Sequence, residues 1–248
     1  MSNQEYLIEW SKLEDKQLLL NLEKFKDDVV WVTEIFLLIQ KFEKSLINPS
    51  YNFQTSIGLM HMAVHDIHLA FLSIFRGHFS LAYKNMRSAI EATTFMNAIK
   101  GDMAKADIWA KKEFLDQNDK DYISLLKEGR NGYLGQKLKD KFNFASEHSH
   151  ANFIKFLNGR KSELLLEQKI VKDTYSYFDE DEDWFIAHTH QFIGTVFLIL
   201  DVFEDVLKGQ IEDKEYKQKL KNKFSEYLQY TRKNLNRILI GPKLSKNK

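Results

Sequence analysis

Proline is almost absent from the middle of this chain, and that absence limits the folds open to it. The 248 residues contain two prolines, Pro49 and Pro242, and ten glycines. An all-β protein needs frequent turn residues, and helix interiors exclude proline, so long stretches with few of either favour helices. A chain of this length can also bury a sizeable core. We therefore predict an all-α fold, a multi-helix bundle that forms a single domain over residues 1–248.

Hydrophobic periodicity divides the predicted domain into parts. These are N-terminal helices (1–50), central helices (51–157), a loop or small β-hairpin (158–183), a C-terminal helix pair (184–240) and a frayed tail (241–248). In finer detail, the pattern predicts a helix over Gln4–Leu13, a longer one over Asp15–Ile47 and one over Met103–Leu115, capped by Asp102. A hairpin would be built from the runs Leu164–Val171 and Thr174–Phe178.

The segment from Ile57 to Ile99 is the most apolar part of the chain and is predicted to form two helices hinged at Gly77. A helix that is apolar all round is expected to be buried on most sides. Polar side chains nevertheless interrupt both arms at helical spacing. His61, His65 and His68 form a stripe on the first arm. On the second arm Arg87 and Glu91, four residues apart, can form an ion pair along a stripe of their own.

These stripes predict a binding site, because buried polar groups need partners. If they meet the polar run Ser146–His150 in one cavity, that cavity holds a fixed cation, a carboxylate and several groups that titrate near neutrality. Such a site suits an anionic ligand, with Arg87 as the anion anchor and the histidines as hydrogen-bond donors or bases. The predicted site residues are Arg87, Glu91, His61, His65, His68, Ser146 and His150.

A metal-dependent hydrolase is the alternative that the histidines leave open. Helical bundles build metal sites from facing side chains, often with a Glu-x-x-His step, and Glu147 and His150 have that spacing. The candidate ligands for a divalent metal are His65, His68, Glu147 and His150. Hydrogen-bonded or partly exposed histidines are the simpler interpretation of the same pattern.

The chain has no cysteine, which excludes disulfides, thiolate metal sites and a cysteine nucleophile. The first residues contain neither a basic leader nor a continuous apolar core, so no signal peptide is predicted. The run Phe192–Leu200 is too short to span a bilayer. We expect a soluble cytoplasmic protein with no membrane contact.

The three glycines at 129, 132 and 135 lack the lysine and the preceding strand of a phosphate loop and are predicted to form a turn.

Charge is distributed unevenly behind a net charge of +1. The stretch from Lys214 to Lys248 carries eleven basic residues against Glu215 and Glu226. Its basic helix could contact a polyanion such as nucleic acid, or the acidic remainder of its own molecule. A structural interaction module that uses this helix is therefore a further alternative function.

Two short segments resemble a known family: Arg87-Ser88-Ala89-Ile90-Glu91-Ala92 and Ser146-Glu147-His148-Ser149-His150. They resemble an uncharacterised family of bacterial all-helical proteins that is distantly similar to the HEPN domains of defence and toxin-antitoxin systems. The resemblance implies a helical bundle, a homodimer, and a link to RNA and phage defence. HEPN ribonucleases use an arginine followed by a histidine after four to six residues, and no arginine in this chain has that spacing.

Overall fold

The computed structural model describes residues 3–111, 120–149, 160–165, 170–175 and 182–234. As predicted, the fold is all-α and consists of many helices. The helices are α1 (Asn3–Lys24), α2 (Lys26–Lys44), α3 (Gln54–Phe75), α4 (Phe79–Ile99), α5 (Met103–Ala110), α6 (Lys120–Gly129), α7 (Gly132–Ser149), α8 (Glu182–Leu207) and α9 (Tyr216–Lys233). A short 3-10 helix, Tyr51–Phe53, precedes α3.

The hairpin of α3 and α4 lies at the centre of the molecule and confirms the predicted hinge. Gly77 has φ +81°, a left-handed conformation that favours glycine. The amide of Gly77 donates to the carbonyl of Ile74 at 2.8 Å and that of His78 to Ser73 at 2.8 Å, which closes the end of α3. Both helices pack against α8, and α4 also contacts α6 and α7. The largest fully buried side chains come from α2, α3, α4, α8 and α9 and include Phe42, Met60, Phe95, Phe192, Phe203 and Tyr216.

Two predicted helix boundaries are wrong at the N-terminal end. The break between the first helices falls at Phe25, whereas the sequence pattern placed it near Glu14. Tertiary contacts fix this position: the Phe25 ring stacks on Phe185 of α8 at 3.9 Å, and the side-chain amide of Asn21 donates to the carbonyl of Phe75 at 2.8 Å. The hydrophobic periodicity of α1 does not indicate these contacts, because both partners lie far from α1 in the sequence.

Asp102 caps α5 as predicted, because its carboxylate accepts from the amides of Ala104 at 2.9 Å and Lys105 at 3.3 Å. The helix ends at Ala110, before the predicted end at Leu115, and residues 112–119 lie outside the described part of the chain.

A β-hairpin occurs in the predicted region, with different strands. Strand β1 (Arg160–Leu165) pairs antiparallel with β2 (Ile170–Tyr175). Leu164 lies opposite Val171, so the two ends of the run that was predicted as one strand lie on different strands. Residues 166–169 lie outside the described part of the chain.

Backbone hydrogen bonds join two distant loops. The amide of Ile47 donates to the carbonyl of Gln210 at 3.0 Å, and the amide of Glu212 donates to the carbonyl of Ser45 at 2.7 Å. These bonds tie the loop after α2 to the loop between α8 and α9, and they flank an isolated bridge between Leu46 and Ile211.

Two helical segments are long and apolar enough to cross a membrane by composition, Tyr51–Phe75 and Phe185–Leu207. Half of the first apolar window and 72% of the second are buried in the protein. Core helices of folded proteins have the same composition, so this finding alone does not assign either segment to a membrane.

Candidate functional site

The polar stripe of α4 faces α7 and α6, and the line along which these helices meet is the candidate site. We call it the α4–α7 seam and define it by Tyr83, Arg87 and Glu91 on α4 and by Phe142, Ser146 and His148 on α7. Tyr83 contacts His148, with ring centroids 4.9 Å apart, and Arg87 lies over the ring of Phe142. The stripe that periodicity predicted on α4 therefore lies at a helix contact.

Two arginines share one aromatic ring in the middle of the seam. The guanidinium carbon of Arg87 lies 5.0 Å from the Phe142 ring centroid, and that of Arg130 also lies 5.0 Å from it. The two carbons are consequently at most 10 Å apart. Among the described residues, no carboxylate forms an ion pair with either arginine, and the buried Nε of Arg130 has no hydrogen-bond partner. Both side chains are half-buried, so the ring holds two positive charges that no acid of the described ranges neutralises.

A tight corner between α6 and α7 places Arg130. Gly129 lies so close to α4 that a Cβ atom there would be 2.1 Å from the carbonyl oxygen of Thr94. The Asn97 side-chain amide donates to the carbonyl of Gly129 at 2.8 Å, and Gly132 adopts φ +72°. The predicted turn occurs between Gly129, which ends α6, and Gly132, which begins α7, whereas Gly135 lies inside α7. The turn brings Arg130 against the seam.

The predicted ion pair between Arg87 and Glu91 is not formed. Arg87 turns to Phe142, and Glu91 accepts a hydrogen bond from the Tyr122 hydroxyl at 3.4 Å. Burial, followed by the charge of Glu91 and this hydrogen bond, raises the pKa of Tyr122 to about 12. Helical spacing permits the ion pair. Arg87 instead contacts Phe142 of α7, and Glu91 contacts Tyr122 of α6.

One end of the seam is a cluster of two histidines and a tyrosine. The Tyr83 hydroxyl and His188 Nδ1 of α8 share a hydrogen bond, and the rings of His148 and His188 lie 5.8 Å apart. His148 Nδ1 donates a hydrogen bond to the carbonyl of Phe144 at 2.8 Å, so Nε2 is the ring nitrogen that takes no part in this bond. Tyr83 is 2% exposed and burial raises its pKa, so its hydroxyl stays neutral over the physiological range.

The α3 histidines lie away from this cluster and from Arg87. His61 Nδ1 is 3.3 Å from Glu43 Oε1 of α2, and the ring of His68 stacks on Phe36 of α2 at 4.3 Å. His65 is exposed. The expectation that α3 is buried on most sides fails along this line, because its opposite face packs against α4 and α8. The imidazoles therefore occupy the solvent edge of an apolar helix, and the shared cavity with Arg87 does not form.

The remaining predicted site residues belong to the end of α7. Ser146 lies one turn beyond Phe142, and its buried Oγ has no hydrogen-bond partner among the described residues. Glu147 is exposed, and His150 lies outside the described residues. Within the described ranges, no group of three His, Asp or Glu side chains could hold a metal ion. Of the proposed ligands, His68 stacks on Phe36 of α2 and His65 is exposed on α3, whereas Glu147 lies on α7.

The basic helix α9 finds acidic partners in its own molecule. Lys217 Nζ is 2.7 Å from Glu204 Oε2, Lys219 Nζ is 2.8 Å from Asp213 Oδ2, and Lys223 Nζ is 3.3 Å from Glu34 Oε2. A groove of about 240 Å³ lies between α2 and α9, but its Lys223 is held by Glu34 and by Glu226 at 2.8 Å. We therefore place the candidate site at the seam.

Three residues predicted for the site, Arg87, Glu91 and Ser146, lie at the seam. Helical spacing also places Tyr83 on the stripe of Arg87, whereas Arg130 and Phe142 were not predicted to belong to the site. The sequence around Phe142 does not distinguish it from an ordinary core aromatic residue. Arg130 lies in the turn between α6 and α7, where helical periodicity gives no information about its side chain. The glycines on both sides of Arg130 were the available sequence signal for its position, since close packing at a turn fixes the side chain that the turn carries.

Comparison of the chain with protein-family models, with curated proteins and with solved structures gives no match.

Proposed function

We propose that this protein binds RNA through the α4–α7 seam, with Arg87 and Arg130 as the phosphate contacts. The observation that carries the proposal is the pair of guanidinium groups on Phe142 with no carboxylate partner among the described residues. A charged group that is partly withdrawn from water is stabilised by a partner of opposite charge. An unneutralised pair on a rigid support is an arrangement that a phosphate can complete.

Arginine is suited to this role by its shape. The planar guanidinium can lie over an aromatic ring and still direct its N–H edge outward to a phosphate oxygen, in a bidentate geometry. Packing on Phe142 holds both side chains before the ligand arrives, which lowers the entropic cost of binding. Because Gly129 packs closely against α4, the position of Arg130 is set by the packing of the helices and does not depend on a ligand.

The contrast with α9 supports the choice of site. On composition α9 is the more basic surface, yet Lys217, Lys219 and Lys223 are neutralised by acids of the same chain. A polyanion that contacts these three lysines would have to displace their ion pairs, whereas Arg87 and Arg130 form no ion pair among the described residues.

The resemblance of Arg87–Ala92 and Ser146–His150 to HEPN-like proteins favours RNA over a small anion, because both segments contribute to the seam. It also favours a homodimeric protein of bacterial defence. The seam adds His148 and the Tyr83–His188 pair as hydrogen-bonding groups next to the arginines.

Binding of a fluorescently labelled single-stranded RNA, measured by anisotropy at several potassium chloride concentrations, tests the proposal. We expect Arg87→Gln and Arg130→Gln each to raise the Kd about tenfold. Each lost phosphate contact also lowers the slope of log K against log salt by about 0.7. Arg232→Gln is the matched control, since it removes an exposed arginine of α9 and is expected to leave the Kd within about twofold.

Equal binding by the wild type and both seam variants would contradict the proposal. A loss confined to Arg232→Gln would assign the contact to α9. If inorganic phosphate or a mononucleotide bound in an Arg87-dependent manner and RNA did not, the anion site would stand and RNA would be rejected as its ligand.

A further inference from the structure

A buried polar network joins three helices on the side of the molecule where α9 packs. His190 of α8 and Asp28 of α2 are 5% and 1% exposed, and His190 Nε2 lies 2.9 Å from Asp28 Oδ1. On the other side of the imidazole, Nδ1 lies 2.8 Å from the hydroxyl of Tyr227 on α9. Tyr230 of α9 donates to Asp28 Oδ1 at 3.2 Å. Trp31 packs against the rings of Tyr227 and Tyr230.

Both ring nitrogens of His190 have oxygen partners that can accept a hydrogen bond. The Tyr227 hydroxyl also lies 3.0 Å from the carbonyl oxygen of His190, to which it can donate its one hydrogen. In that arrangement the hydroxyl oxygen accepts a hydrogen bond from Nδ1–H of the ring. Asp28 Oδ1 is also an acceptor, so Nε2 then carries a hydrogen as well. We infer that His190 is a buried imidazolium that, paired with the Asp28 carboxylate, clamps α9 to α2 and α8 in a proton-dependent manner.

Charge balance supports this assignment. Asp28 forms no ion pair with a lysine or arginine among the described residues, and its Oδ2 has no hydrogen-bond partner there. Burying a carboxylate without a compensating cation is costly, and the imidazolium supplies that cation. The titratable groups that face His190 are Asp28 from α2 and Tyr227 and Tyr230 from α9. Burial, followed by the charges of Asp28 and Tyr230, raises the pKa of Tyr227, which therefore remains a neutral partner.

The clamp gives α9 a pH-dependent attachment. Loss of a ring proton as the pH rises removes the imidazolium and leaves Asp28 buried beside a neutral ring, which weakens the attachment. Protonation of Asp28 in acid removes the other half of the pair. The attachment of α9 is consequently strongest at intermediate pH and falls on both sides.

Two measurements on the full chain test the clamp. In ¹⁵N NMR of the wild type at neutral pH, both ring nitrogens of His190 are expected at the positions of protonated nitrogens, with the resonance assigned by its loss in His190→Gln. In hydrogen exchange followed by mass spectrometry over a series of pH values, α9 amides are expected to exchange faster, relative to intrinsic rates, under conditions in which the imidazolium has lost a proton.

Tyr227→Phe removes the acceptor of Nδ1–H and is expected to speed α9 exchange about tenfold at pH 6 and to reduce its dependence on pH. Tyr216→Phe is the matched control, because the Tyr216 hydroxyl, also buried on α9, donates to the carbonyl of Leu38 at 3.2 Å and meets no imidazole. It is expected to leave the pH dependence unchanged.

A wild-type spectrum with one protonated and one unprotonated His190 nitrogen at neutral pH would overturn the assignment. Equal pH dependence in Tyr227→Phe and Tyr216→Phe would overturn the clamp. Should Tyr227→Phe fail to fold, the wild-type spectrum still decides between the two protonation states.

Discussion

The seam depends on a residue with no side chain. Gly129 allows the turn after α6 to approach the backbone of α4 at Thr94, and no flexible group at this contact can move aside for a larger residue. The same approach lets Asn97 reach the Gly129 carbonyl and places Arg130 next to Phe142. The position of one arginine in the site therefore depends on the absence of a methyl group one residue earlier.

Gly129→Ala is expected to reduce the free energy of unfolding by about 3 kcal/mol, because the new Cβ would overlap the Thr94 carbonyl and force the two helices apart. Urea denaturation followed by circular dichroism measures the change. In Gly194→Ala, the added Cβ on α8 has no neighbour within 4 Å, so that variant is expected to gain up to about 1 kcal/mol. Equal stability of the two alanine variants would contradict the close contact.

The residues of the site were partly predictable. The spacing of Arg87 and Glu91 correctly marked the polar face of α4, because a helix fixes which side chains share a face. The spacing of His61, His65 and His68 was equally regular, and these side chains lie elsewhere. Periodicity gives the face of one helix, but it does not indicate which neighbour packs against that face. The partners Phe142 and His188 come from distant segments and leave no local signal.

At the scale of whole elements, α9 is held by paired charges as well as by its apolar side chains. Glu204 of α8 is 5% exposed, and Lys217 reaches it from α9. The hydrogen bond to Glu204 raises the pKa of Lys217, and burial raises that of the neighbouring Asp201. The acidic character of the first part of the chain and the basic character of its last helix are therefore complementary surfaces of one fold.

Lys217→Gln is expected to lower the free energy of unfolding by about 1 kcal/mol at neutral pH, a modest loss because the lysine side chain is 43% exposed and screened by solvent. Because the pKa of Lys217 is raised in the folded protein, this contribution is present below the ordinary lysine pKa of about 10.4, and the loss should disappear as the pH rises above it. Thermal unfolding across pH measures both effects. Lys221→Gln is the control, since the exposed Lys221 has no ion pair among the described residues and should change stability by no more than about 0.5 kcal/mol. A pH-independent loss in Lys217→Gln would contradict the role of the pair.

The elements themselves were predicted well where composition decides. The ranges of α3 and α4 follow from long apolar runs and from Gly77. The break at Phe25, between α1 and α2, depends on Phe185 and Phe75, which are distant in sequence. Boundaries set by local residues could be predicted, whereas those set by packing could not.

At the scale of the whole molecule, α8 connects the other helices. It contacts α2, α3, α4, α7 and α9, and its C-terminal loop forms backbone hydrogen bonds with the loop after α2. Elements from both ends of the chain thus depend on the same central helix. Such interdependence is what makes unfolding cooperative.

We expect the chain to unfold in one transition. Far-ultraviolet circular dichroism follows all helices, and tryptophan fluorescence follows local environments such as Trp31 on α2 and Trp109 on α5. The two probes should give the same urea midpoint and the same dependence on urea. Two resolved transitions would contradict a single cooperative unit and the predicted single domain.

The exposed edge of α3 affects how metal content should be interpreted. His61 and His65 lie four residues apart, one helical turn, with both rings accessible, and such a pair can chelate a divalent ion at the surface. Zinc or nickel recovered with the purified chain would then be a property of this outer face. Loss of that metal on replacing His61 would leave the chemistry of the arginine-lined seam untouched.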